Sequence, residues 1–229
     1  MIYSYCIYEK ERAAVPGREQ CKIMKQGRFI TMEGVDGSGK TTQLQMTARY
    51  LLQCGYDLVT TREPGGTKMA ERIRSLVLDA DTAINARTEV MLYLAARAEH
   101  VETVIKPALA AGKVVLCDRF ADSTLVYQGY VRGIEIAKVK ALCEFAADSL
   151  QPELTILLDA APEALLQRRL DRGVQDRFEQ EGLDFQKKVR EGFLSLANAD
   201  PARIKRVNAL QNTDAVQADI QKIFKEAGF

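Results

Sequence analysis

The chain has 229 residues, 47% of them hydrophobic and 28% charged, a globular composition that excludes a disordered or collagen-like chain. That length fits one large domain or two small ones, and it buries roughly 70% of the unfolded surface, enough to hold a core without disulfides. Lys and Arg number 32 against 31 Asp and Glu, a net charge of +1, so there is no broad basic field for tracking nucleic acid.

Residues 1–23 alternate short apolar pieces with charge pairs, and Pro16-Gly17 sits in the middle. They show no sustained period and read as an extension outside the fold, or as an upstream choice of start codon. The compact domain is expected over 24–229. The first eight residues lack a basic start and reach charge too soon for a secretory segment. No apolar run is long enough to span a bilayer. Cys6, Cys21, Cys54, Cys117 and Cys143 are odd in number and widely spaced. They suggest reduced thiols in a cytoplasmic protein, with neither a disulfide framework nor a zinc site.

Strands are expected at Phe29–Glu33, Leu58–Thr61, Val114–Asp118, Leu154–Asp159 and Ile204–Val207. Between them, apolar residues recur every three or four positions, as at Ile136, Val139, Leu142, Cys143 and Ala146, and at Phe185, Val189, Phe193 and Leu196. The run Val114-Val115-Leu116-Cys117 lacks polar alternation, as a strand covered on both faces should. Alternating β and α implies an α/β fold with a parallel sheet between helices. In such sheets ligands bind beyond the carboxyl ends of the strands, here at Glu33-Gly34, Arg62 to Gly66, Asp118-Arg119 and Asp159.

At the first of these ends, Gly34-Val35-Asp36-Gly37-Ser38-Gly39-Lys40-Thr41 matches the P-loop pattern GxxxxGK[ST], after a strand and before a helix expected over Thr42–Gln53. Glycines let the backbone N–H groups turn inward on phosphate oxygens, and the helix adds the positive end of its dipole. Lys40 suits the β and γ phosphates, and the Thr41 hydroxyl suits Mg²⁺. The pattern indicates nucleoside triphosphate binding and leaves the reaction open. No NKxD-type guanine loop follows, and the short chain fits a small kinase better than a motor.

Other segments narrow the choice. Thr61-Arg62-Glu63-Pro64-Gly65-Gly66-Thr67, Ala95-Ala96-Arg97, and Asp118-Arg119 with Ser123 and Tyr127-Gln128-Gly129 accompany the phosphate loop in order. Together they resemble the thymidylate kinase family, from about Phe29 to the C-terminus. The resemblance implies a P-loop NTPase fold with sheet order 2-3-1-4-5, a homodimer, and transfer of the γ-phosphoryl of ATP to dTMP with Mg²⁺. A kinase for UMP or dUMP, and an ATP-binding switch without transfer, are the other readings of these motifs.

Asp118 closes an apolar strand, where a carboxylate can orient Mg²⁺ or its waters, or form a strand-end ion pair. Arg119 offers a planar fork for phosphate. The resemblance puts Arg119 and Arg74 on the acceptor phosphate and leaves Arg72 as a solvated helix charge. Tyr93 and Arg97 are four apart on a helix beginning near Thr88 and share a face. Periodicity alone makes Tyr93 a core residue. The resemblance instead stacks it on thymine, although the family more often has Phe there, and has Arg97 bond the base O4. Ser123, Thr124 and Gln128 can read N3–H and a neighbouring carbonyl, and Tyr127 can pack near the sugar. The resemblance sets Asp36 near the acceptor 3′-OH. Glu63 is expected at the acceptor nucleotide and also as a second carboxylate for Mg²⁺ or its waters. The segment at about 167–180 carries Arg168, Arg169, Arg172 and Arg177 around Gly173. It reads either as a charged helix end or as a lid. The resemblance makes it the lid, with Arg172 and Arg177 favoured as catalytic arginines. His100, the one histidine, is assigned a structural or surface role.

Overall fold

The computed structural model describes residues 27–166, 178 and 181–229. Residues 1–23 and the arginines of the expected lid lie outside the described residues.

Five strands form one parallel sheet in the order β2-β3-β1-β4-β5. They are β1 (Arg28–Glu33), β2 (Leu58–Arg62), β3 (Val114–Asp118), β4 (Leu154–Asp159) and β5 (Ile204–Asn208). The order and the parallel sense are those expected. Each strand begins and ends within one residue of its expected bounds: β1, β3 and β4 are short apolar runs stopped by polar turns, β2 is a β-branched stretch ended by Arg62-Glu63-Pro64, and the edge strand β5 keeps apolar residues only at Ile204 and Val207. In β1, β3 and β4 the apolar residues are buried on both faces. Fully burying such a side chain contributes about 1.5–3 kcal/mol, which makes these three strands the centre of the core.

Helices cover both faces. Among the described residues they are α1 (Lys40–Gln53), α2 (Lys68–Leu78), α3 (Ala86–His100), α4 (Lys106–Ala110), α5 (Ala121–Thr124), α6 (Ile136–Ala146), α7 (Leu183–Ala199) and α8 (Thr213–Glu226). Thr67 caps α2 by accepting from the Ala70 N–H, and Asn85 caps α3 by accepting from Thr88. Helix α3 thus starts two residues before Thr88. It runs into α4 through a π turn at Val101–Ile105. A second π turn, Leu125–Val131, extends α5.

Register decides where the chemistry gathers. Met32 of β1 and Arg62 of β2 both pair with Asp118 of β3. Those three strand ends are therefore level, and Glu33, Glu63 and Arg119 leave the sheet side by side.

Candidate active site

The phosphate loop joins β1 to α1. Gly37 and Gly39 have φ of 86° and 89°, a left-handed conformation that favours glycine. Gly34 has φ 144°, and a Cβ there would lie 2.5 Å from the Leu158 carbonyl oxygen. Lys40 folds back over the loop and donates to the carbonyls of Gly34 and Val35 at 3.0 and 3.1 Å. Burial, with Arg119 nearby, lowers its pKa to about 8. An anion arriving in the loop would raise it again and hold the ammonium charged. Thr41 is exposed at the loop's end, as is Thr42 on the first turn of α1.

A cavity of about 200 Å³ opens against Lys40 and Thr41. Every residue expected at the acceptor nucleotide lines it: Asp36, Glu63, Arg74, Tyr93, Arg97, Arg119, Ser123, Thr124, Tyr127 and Gln128. Asp118 lines it too.

Arg119 sits at φ 69°, a conformation uncommon outside glycine, and its own N–H donates to the Met32 carbonyl. Its guanidinium donates to Asp36 Oδ1 at 2.6 Å and to Ser123 Oγ at 3.1 Å. Ser123 in turn donates to Glu33 Oε2 at 2.6 Å, and the Phe120 N–H donates to Glu33 Oε1. Burial pushes the Glu33 pKa up to about 7, against the opposing pull of Arg119.

Arg97 is 1% exposed, and its fork is already engaged. Nε donates to Glu63 Oε2 at 2.8 Å, Nη1 to Cys143 Sγ at 3.3 Å and Nη2 to Thr124 Oγ1 at 2.9 Å. His100 holds the other side of Glu63, with Nδ1 3.0 Å from Oε1, while its Nε2 is 2.7 Å from Thr61 Oγ1. His100 is thus a buried structural residue. Arg74 donates to the Pro64 carbonyl at 2.9 Å. Tyr93 is half-buried, with its ring 6.4 Å from that of Phe178. Tyr127 faces Phe178 at 5.6 Å.

The two carboxylates expected near Mg²⁺ differ. Both oxygens of Glu63 are held by Arg97 and His100. Asp118 Oδ1 is buried with no hydrogen-bond partner among the described residues. An unpartnered buried carboxylate oxygen in the same cavity as an exposed threonine hydroxyl fits a hard cation or its water.

The thymidylate kinase family model matches residues 32–220. The thymidylate kinase of Geotalea uraniireducens is 47% identical over 201 residues, 85% of this chain and 94% of that protein. That of Clostridium novyi is 46% identical over 205 residues, 88% of this chain and all of its own. The crystal structure of thymidylate kinase from Ehrlichia chaffeensis superposes with a TM-score of 0.71 at 34% identity, covering 86% of this chain and 98% of that one. The chain belongs to the thymidylate kinase family. Membership makes it a nucleoside monophosphate kinase, a phosphotransferase of the P-loop NTPase fold.

Two carboxylates of this thymidylate kinase family member escape a reading of the sequence. Glu33 reads there only as a strand end, yet it organises Phe120 and Ser123. Glu89 is 1% exposed and accepts from Gln128 Nε2 at 2.8 Å. A signal for it exists, since Glu89, Tyr93 and Arg97 follow one another at spacings of four along one face of α3.

Proposed function

We propose that this cavity holds dTMP against the phosphate loop and that the chain catalyses ATP + dTMP → ADP + dTDP. Arg119 and Arg74 hold the acceptor phosphate, and Asp36 receives the sugar hydroxyl. Tyr93 stacks on the base, Arg97 donates to its O4, and Thr124 and Gln128 meet N3–H. Tyr127, whose buried hydroxyl has no partner among the described residues, packs by the sugar.

An oxygen of the dTMP phosphate attacks the γ-phosphorus in line. The bond to the bridging β–γ oxygen breaks, and that oxygen leaves with ADP. Positioning and charge stabilisation dominate such a step. Lys40 and the N–H groups of the phosphate loop meet the donor phosphates. Thr41 and Asp118 would hold Mg²⁺, which supplies charge neutralisation to the transferring phosphoryl when bound. Arg172 and Arg177 belong to this reading as lid cations, supported by the family resemblance alone. A homodimer and a cytoplasmic setting rest on the same support. Among the described residues no helix is long and apolar enough to cross a membrane.

The observation that carries the reading is one cavity lined by Lys40 and Thr41, by Arg119 with Asp36, and by Arg97 with Gln128. The test is ADP release with Mg-ATP against dTMP, dUMP, UMP, dCMP, AMP, GMP and no acceptor. Fast release with dTMP, less with dUMP and background with the rest is expected. Equal release in every well, including the one without acceptor, would make the chain an ATPase and overturn the reading.

A further inference from the structure

Glu89 of α3 is buried behind the cavity wall and does not itself line the cavity. Its Oε1 accepts from Gln128 Nε2 at 2.8 Å, and Arg132 Nε lies 3.7 Å from the same oxygen. Gln128 is 1% exposed and lines the cavity. Its Oε1 has no hydrogen-bond partner among the described residues and is not shut off from open space.

We propose that Glu89 is a positioning residue that fixes which end of the Gln128 amide faces the acceptor base, so that the site selects a base carrying an N–H on that edge. This rests on the reading of the cavity as a dTMP site. An amide presents a donor at one end and an acceptor at the other, and packing alone barely distinguishes them. A carboxylate can only accept. Glu89 therefore draws the NH₂ group to itself and turns the carbonyl oxygen into the cavity. The reverse orientation would set two acceptors against each other in a buried space, losing a hydrogen bond and adding repulsion.

The consequence is selection by base class. The imide of thymine or uracil offers N3–H to Gln128 Oε1. Cytosine offers a lone pair at N3, which would face the lone pairs of Oε1. A site that leaves such a buried polar pair mismatched discriminates far more strongly than one that differs by a methyl group. The choice of residue supports a functional role. Burying a carboxylate is costly, and Arg132, 3.7 Å away, offsets part of that cost. Only the carboxylate leaves the Gln128 amide no choice of direction.

The test compares dTMP with 5-methyl-dCMP, which share the sugar, phosphate and methyl group and differ on the base edge. Steady-state kcat and KM are measured for wild type, Glu89→Gln, Gln128→Glu and the double variant, with thermal melting as a folding control. In Glu89→Gln the amide can turn, and the kcat/KM preference for dTMP should fall roughly tenfold, mainly through KM. Gln128→Glu sets two carboxylates face to face and should lose dTMP use. In the double variant the amide moves to position 89 and donates to a carboxylate at position 128. The other oxygen of that carboxylate can only accept, and the preference for dTMP should return to within a few-fold of wild type. This exchange stays informative if one single variant folds poorly. An unchanged preference in Glu89→Gln, equal losses on both acceptors, or a double variant no better than Gln128→Glu overturns the proposal. A folded wild type that ignores dTMP itself sinks the dTMP reading, a result distinct from any pattern among the variants.

Discussion

Arg119 Nη2 lies 2.6 Å from Asp36 Oδ1, joining the phosphate loop after β1 to the end of β3. The same guanidinium reaches Ser123, so one planar group is held from two directions before any phosphate arrives. Arg119→Lys keeps the charge and loses the fork. Its kcat/KM for dTMP should fall about 100-fold, close to 3 kcal/mol, with melting within a few degrees of wild type. Steady-state kinetics decide it, and a loss below tenfold would show that charge without geometry suffices.

Glu33 gives a pH signature in stability. Its pKa is about 7 in the fold against 4.5 in an unstructured chain, so the folded state keeps a proton that the unfolded chain releases between those values. Its contribution is full below about pH 4.5 and gone above about 7, worth about 3 kcal/mol across the window. Arg119 and Asp122 face the same carboxyl and add their own slopes, so the readout is the difference from Glu33→Gln. Urea midpoints from pH 5 to 8 should fall more steeply for wild type than for the variant. Parallel curves would refute the assignment.

Asp122 is clamped by Arg203, with Nη1 2.7 Å from Oδ2 and Nη2 3.0 Å from Oδ1. Arg203 also donates to Thr155 Oγ1 at 2.9 Å. This pair ties α5, which carries Ser123 and Thr124, to the start of β5. Removing one partner of a buried pair costs about 3–5 kcal/mol, because the other is left uncompensated. Asp122→Ala should lose stability near the lower end, since Arg203 keeps some solvent and Asp200. It should also raise KM for dTMP, as α5 loosens. Chemical denaturation and initial-rate kinetics check both, and an unchanged KM would confine the pair to a scaffold role.

The strands are legible in the sequence because each is a local event: an apolar or β-branched stretch, a polar stop, a turn, with the edge strand β5 the least apolar of the five. The phosphate loop is legible for the same reason, since its residues are contiguous. The residues proposed at the acceptor need the resemblance, because Tyr93 at helical spacing looks like any core aromatic until it borders a cavity. What stays hidden are contacts between distant segments. Glu63 and His100 are 37 residues apart, and Asp122 and Arg203 are 81 apart, so no spacing rule links them. The π turns at Val101–Ile105 and Leu125–Val131 are hidden too, since no Gly or Pro opens either. In the second, the wider winding carries both Tyr127 and Gln128 to the cavity, a common use of such turns.

Arg97 is fastened on three sides, to the loop after β2, to α5 and to α6. A group so tethered cannot swing to accommodate a stranger. In the proposed dTMP site, the wall it forms is cut to shape before the nucleotide enters, and little side-chain freedom remains to be lost when the base docks. Tolerance for unnatural nucleotides should therefore lie away from this edge of the ring, and a chemist seeking inhibitors would leave that edge as nature made it and elaborate elsewhere.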